Sequence, residues 1–263
     1  MEKNKEYKLK IGIYELTGCA GDSLLILDCE KELINIFKAS DIQSFLMAKS
    51  DNIDGELDVA FVEGSVSTEK EEEEILNIRK RAKAVVAIGI CACFGGIQAA
   101  FLNKKDWEEN LKKVYGDVKM KHTRPIQSKP IDAYIKVDYY LPGCPIDREQ
   151  FLSTFNRILR GNPPELYRFP VCVECKWNEN DCLLNKDILC LGPVTRAGCG
   201  SICINHNLPC VGCWGPVEEA NLASEFQLLR EKGFDYDFIK KKMANFSGTG
   251  MADFLGKLKG EKK

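Results

Sequence analysis

The order of residues predicts an α/β fold: an open parallel sheet of flavodoxin-like character over residues 1–160, followed by a loop-rich domain over 161–263. Two observations carry the first part. Short apolar runs alternate with amphipathic stretches of helical length, as in βαβ units, and the runs end at glycines. A third carries the second: beyond residue 160 the periodicity fades and cysteines crowd together.

The first strand is expected in LKIGIYEL from Leu9, and an amphipathic helix across Ser23 to Lys38. DVAFVEG supplies a second strand. Glu69 to Lys83 reads as a helix whose first turn holds the acidic run Glu69–Glu74, where Thr68 can cap and carboxylates suit the dipole; that run reads as a solvated helix end. AVVAIGI is a buried strand, and VDYYL leads into LPGCP. GNPPELYRFP, with Pro163, Pro164 and Pro170, marks the boundary. The roughly fifty residues after it show no obvious core of their own, so bound inorganic clusters are expected to organise them. Helical character returns from Val217 to Lys240, and GKLKGEKK reads as a frayed basic tail.

Charge and composition exclude several classes. Lys and Arg total 37 against 39 Asp and Glu, a net charge of −2, so neither a nucleic-acid footprint nor a polybasic membrane surface is expected. No run reaches the ~18 apolar residues of a spanning helix. The charged opening MEKNKEYKLK is followed by no export signal, which places the chain in the cytoplasm. Thirteen cysteines in a reducing compartment point to metal ligation before disulfides.

Eight of them fall at Cys172, Cys175, Cys182, Cys190, Cys199, Cys203, Cys210 and Cys213, which is two sets of four. The pairs Cys172-x2-Cys175 and Cys210-x2-Cys213 let one turn of chain present two sulfurs to one iron–sulfur cubane. Two four-cysteine zinc sites use similar pairs and stay open on spacing alone. Cys19, Cys91 and Cys144 each stand at a strand-to-loop junction, and loops at the carboxyl ends of parallel strands converge on one crevice, so a third metal site is expected there. Three thiolates leave a cubane one ligand short. Asp22, three residues beyond Cys19, is the candidate fourth, a harder oxygen donor. Cys29 and Cys93 read as structural thiols.

TGCAGD, FVEGSVST, GICACFGG, LPGCP, CVEC, LGPVTRAGC and PCVGC, in that order, resemble the small, electron-transferring subunit of nickel–iron hydrogenases over nearly the whole chain. The cytosolic viologen-reducing subgroup that partners heterodisulfide reductase, with the related sulfhydrogenases, is the nearest in pattern. The resemblance implies three 4Fe-4S clusters: proximal at Cys19, Cys91 and Cys144, medial at Cys199, Cys203, Cys210 and Cys213, and distal at Cys172, Cys175, Cys182 and Cys190. Leu16 stands where the family has its fourth proximal cysteine, so that corner falls to Asp22, to an external ligand, or to none. It further implies a nickel–iron centre in a separate large subunit and an iron–sulfur or flavin-containing acceptor subunit, with a link to heterodisulfide reductase. Glu15 and Glu63 lie beside the proximal site as loop or capping carboxylates, with a proton relay as the alternative. His206 reads as a loop residue. Arg196 could pack or pair with a cluster or partner charge. Two other readings compete: the related quinone-reducing complex subunit, which ends soon after its GCP motif, and a zinc-organised scaffold or hydrogen sensor.

Overall fold

The computed structural model describes residues 8–100, 104–116 and 123–258; His122 and the end of the basic tail lie outside them. The chain begins with β1 (Leu9–Glu15), α1 (Gly21–Leu27), α2 (Glu30–Ala39), β2 (Ser40–Phe45) and β3 (Leu57–Glu63). It continues through β4 (Val66–Thr68), α3 (Glu69–Arg81), β5 (Ala82–Ile88), α4 (Gly89–Phe94), α5 (Lys104–Tyr115), β6 (Pro125–Lys129), β7 (Tyr139–Leu141) and α6 (Arg148–Leu159).

Five strands form one parallel sheet in the order β2-β1-β3-β5-β7. Counted within the sheet this is 2-1-3-4-5, the flavodoxin-like order. β3 is buried along its whole length because helices cover both faces, which is why its middle, Val59 to Val62, is apolar with no alternation. On one face Ile26, Ile36, Phe151 and Phe155 pack against Ile11, Ile13 and Phe61; on the other, Ile75 and Ile78 of α3 pack against Val62, Val85 and Ala87. Glu15 pairs with Glu63, Glu63 with Ile88, and Ile88 with Leu141. These strands therefore end level, and the loops that leave them share one rim.

Thr68 caps α3 as its position suggests, in a full capping box with Glu71. The single helix expected from Ser23 to Lys38 is two helices. The break falls at Asp28–Glu30: the Cys29 amide bonds back to Ile26 O, and Glu30 takes a left-handed conformation (φ +37°). β2 and α6 were not legible as elements, and neither was the antiparallel pair β4–β6.

The C-terminal part contains α7 (Val171–Trp177), α8 (Ile202–Asn205), α9 (Leu222–Glu231), α10 (Tyr236–Ser247) and α11 (Ala252–Lys257). Contrary to expectation it has a core. Leu183, Leu184, Leu191 and Val194 of the cysteine-rich loops pack against Phe226, Leu229, Ile239, Met243 and Leu255 of the last three helices. The four residues on the cysteine-rich side follow no helical or strand period, so only tertiary packing reveals them. The helical stretch expected from Val217 to Lys240 is divided between α9 and α10, with Gly233 between them in a left-handed conformation (φ +85°) that closes α9.

Candidate metal centres

The rim at the carboxyl ends of β1, β5 and β7 carries Cys19, Cys91 and Cys144. After β1 the chain pairs with residue 65 through Thr17 N–H to Ser65 O (3.1 Å) and Ser65 N–H to Thr17 O (2.8 Å), then turns into α1 with Ala20 left-handed (φ +59°). Cys19 and Cys144 are exposed and Cys91 is half-buried. Ile90 N–H donates to Gly143 O (2.7 Å), tying the Cys91 loop to the Cys144 loop. The Cys144–Pro145 peptide is cis.

Asp22, 6% exposed, links all three loops. Its Oδ1 accepts from Ile146 N–H (2.8 Å), and its Oδ2 rests against Gly89, where a Cβ would overlap it. Burial pushes the Asp22 carboxyl up to about 7, opposed by the Ile146 hydrogen bond and helped by the charge of Glu63. Glu63 is buried and accepts from Ser23 N–H (2.7 Å) and Asp22 N–H (3.3 Å), so it caps the start of α1. Glu15 Oε1 is buried without a partner.

The Cys91 thiol is pushed up to about 11, first by burial and then by the charges of Cys144, Asp22 and Cys19 around it. Gln98 lies against this sulfur: its Nε2 is 3.5 Å from Cys91 Sγ and donates to Thr17 O (3.2 Å). A Cβ on Gly96 would come within 2.6 Å of the same sulfur, so the backbone approaches the thiol as closely as only glycine permits. Cys29 and Cys93 stand apart, fully buried, with their thiols against Leu25 O and Ala87 O (3.5 Å each).

The eight C-terminal cysteines form two neighbouring groups. Burial pushes Cys172 up to about 12, and the charges that act on it next are those of Cys190, Cys175 and Cys182. Burial likewise pushes Cys213 up to about 12, followed by Cys199, Cys144 and Cys203. A cavity of about 240 Å3 is lined by Cys144 together with Cys199, Cys203, Cys210 and Cys213. The Cys210 amide donates to Cys190 Sγ (3.3 Å), joining the second group to the first. Gly192 leaves a cradle there, since a Cβ would lie 3.3 Å from Cys172 Sγ and 3.5 Å from Cys190 Sγ.

Burial makes Cys172, Cys175, Cys190, Cys199, Cys210 and Cys213 hard to ionise alone, so a metal bound there would have to displace their protons. The donor set is soft sulfur throughout, except at the rim, where three thiols stand with one carboxylate; that fits iron–sulfur ligation. Among the described residues, no three His, Cys, Asp or Glu side chains form a single-ion site. His206 is exposed at the end of α8. Arg196 donates to Tyr167 O (2.9 Å) and is half-buried. No helix among the described residues is long and apolar enough to cross a membrane.

The family described as "NADH ubiquinone oxidoreductase, 20 Kd subunit" matches residues 19–158, from the rim after β1 into α6. Relatives that extend through the cysteine-rich part belong to hydrogenases. Sulfhydrogenase 2 subunit delta of Pyrococcus furiosus is 37% identical over 234 residues, covering 89% of this chain and 97% of the relative. A subunit of the vhu F420-non-reducing hydrogenase of Methanocaldococcus jannaschii is 32% identical over 242 residues, covering 81% and 83%. The chain belongs to the small subunits of nickel–iron hydrogenases. An NAD+-reducing [NiFe]-hydrogenase in the H2-reduced state shares its fold with a TM-score of 0.52 at 27% identity, covering 60% of this small subunit and 95% of that chain. An actinobacterial-type NiFe-hydrogenase from Ralstonia eutropha H16 has the same fold with a TM-score of 0.58, covering 97% and 93%. The small subunit is thus part of an oxidoreductase whose catalytic site lies in the large subunit.

Gln98 and Glu174, which touch cysteine sulfurs or their loops, were missed by sequence reasoning. Nothing in their spacing marks them, because each acts through backbone groups of distant segments.

Proposed function

We propose that the small subunit holds three 4Fe-4S clusters in a row and serves as the electron relay of its hydrogenase. Cys19, Cys91 and Cys144 would hold the proximal cluster, Cys199, Cys203, Cys210 and Cys213 the medial one, and Cys172, Cys175, Cys182 and Cys190 the distal one. When bound, the clusters supply one-electron carriers between the nickel–iron site of the large subunit and an acceptor subunit bearing iron–sulfur or flavin groups, linked to heterodisulfide reductase. The observation that carries this reading is the continuity of the sulfurs. Cys144 opens into the same cavity as all four medial cysteines, and the Cys210 amide meets Cys190 Sγ.

The chain's own residues hold and shield these positions. Asp22 is the proposed fourth proximal ligand, the carboxylate that stands on α1 beside Cys19 and is tied through Oδ1 to the Cys144 loop. Leu183, Leu191 and Val194 exclude water around the C-terminal sites, a lever on cluster potential. The relay would divide into a proximal domain, 1–160, and a medial–distal domain, 161–263, working in the cytoplasm.

Anaerobic iron and acid-labile sulfide analysis, with electron paramagnetic resonance on the purified protein and its copurifying partners, tests the proposal. About twelve irons per chain, with nickel in a larger partner, are expected. About two zincs without labile sulfide would overturn it. Asp22→Cys should keep the iron and alter the proximal spectrum; an unchanged spectrum removes Asp22 from the ligands.

A further inference from the structure

Helix α7 lies between two cysteine groups. Cys172 and Cys175, three apart, share one face, and Glu174 and Asn178, four apart, share another. Glu174 is 8% exposed, and both of its carboxylate oxygens point at the loop that carries Cys199. One oxygen accepts from Gly198 N–H (2.8 Å); the other accepts from Ser201 N–H (3.3 Å) and lies 3.9 Å from Cys199 Sγ. Asn178, the cap residue of α7, donates to Gly200 O (2.9 Å) and Ser201 Oγ (3.0 Å).

This loop cannot hold its own shape cheaply. Gly198, Gly200 and Ser201 have φ of +129°, +63° and +52°, and Ser201 carries a side chain in the left-handed region. Such a backbone persists where its surroundings over-determine it, and here the anchors are Glu174 and Asn178 from α7 and Gln150, which donates to Gly198 O (2.9 Å) from α6.

We propose that Glu174 is a positioning residue that joins the distal and medial ligand sets, holding the Cys199 loop onto the helix that bears Cys172 and Cys175. This rests on the cluster assignment proposed above. A carboxylate offers two acceptor oxygens, so this one side chain meets the Gly198 and Ser201 amides together, on either side of Cys199. Glu174 therefore fixes the backbone that presents Cys199 to the medial site. Cys172 and Cys175 share its helix without sharing its hydrogen bonds.

The test uses the complex purified anaerobically with its partner subunits, carrying Glu174→Gln or Glu174→Ala, with iron and sulfide analysis and a redox titration of each cluster followed by electron paramagnetic resonance. Gln keeps the shape and one acceptor but puts an NH2 donor where the second backbone N–H is met. It should loosen the Cys199 loop and shift the medial midpoint, leaving the distal midpoint unchanged. Ala should free Cys199 and produce a three-iron signal at the medial site. A medial midpoint in the Gln variant equal to wild type, or a shift confined to the distal cluster, overturns the proposal, whether or not the Ala variant folds. Wild-type complex without labile sulfide would overturn the cluster assignment first, and is scored before either variant.

Discussion

Replacing Glu225 with Gln should make the protein's stability less dependent on pH. Glu225 sits in the first turn of α9, 4% exposed, with Oε1 lacking any hydrogen-bond partner, and its charge acts on Cys172 and Cys190. Burial raises its carboxyl from 4.5 to about 7. The folded chain therefore keeps a proton here that the unfolded chain releases between pH 4.5 and about 7. Stability from this site is whole below pH 4.5 and is lost as pH rises through about 7. A rise of roughly 2.5 units at 1.36 kcal/mol each amounts to about 3 kcal/mol lost at pH 8. Gln cannot ionise, so it escapes that loss while keeping the size and the unpaired oxygen. Anaerobic thermal unfolding of both proteins at pH 5 and pH 8 reads the effect. The Gln variant should gain on wild type by roughly 6–12 °C at pH 8, and most of that gap should vanish at pH 5. A gap of equal size at the two pH values would refute the reasoning, because shape or packing would then account for it.

Three further outcomes follow from the geometry. Gln98→Leu removes the amide from Cys91 Sγ and should move the midpoint of the proposed proximal cluster to more negative potential while the other proposed clusters titrate as in wild type; an unmoved midpoint would clear Gln98 of that role. Gly89→Ala places a Cβ on Asp22 Oδ2 at φ +76°, a conformation that alone costs about 1–2 kcal/mol, so this variant should lose soluble yield together with the iron of the proposed proximal site. Phe151→Ala empties a site 1% exposed between Phe61 and Phe155 (centroids 5.9 and 6.1 Å) and should cost about 3–5 kcal/mol in denaturant unfolding. It should leave the cluster spectra as they are; a changed spectrum would mean the sheet core reaches the metal sites.

Much of this molecule was legible in its residue order alone. β1, β3 and β5 read directly from LKIGIYEL, DVAFVEG and AVVAIGI, because strands buried on both faces need apolar middles. Thr68 read as a cap because a side-chain oxygen before an acidic turn has one obvious use. The short helices α7 and α8 did not read, being 7 and 4 residues long, with cysteines in place of an apolar stripe. The break at Cys29–Glu30 was also hidden, since the amphipathic period runs on through it.

By itself the sequence determined the sheet's central strands, the cysteines grouped as three and eight, and the order of motifs that marks a hydrogenase small subunit. These are properties of residue type and spacing, written locally. The register that ends β1, β3, β5 and β7 level was decided only in three dimensions, as were the cavity shared by Cys144 with Cys199, Cys203, Cys210 and Cys213 and the core beneath the cysteine loops. Asp22 and Glu174 belong with them, because each bonds backbone amides 124 and 24 residues away. A backbone amide is the same group at every residue but proline, so no residue code can say which one a carboxylate will meet; strand register and packing say it.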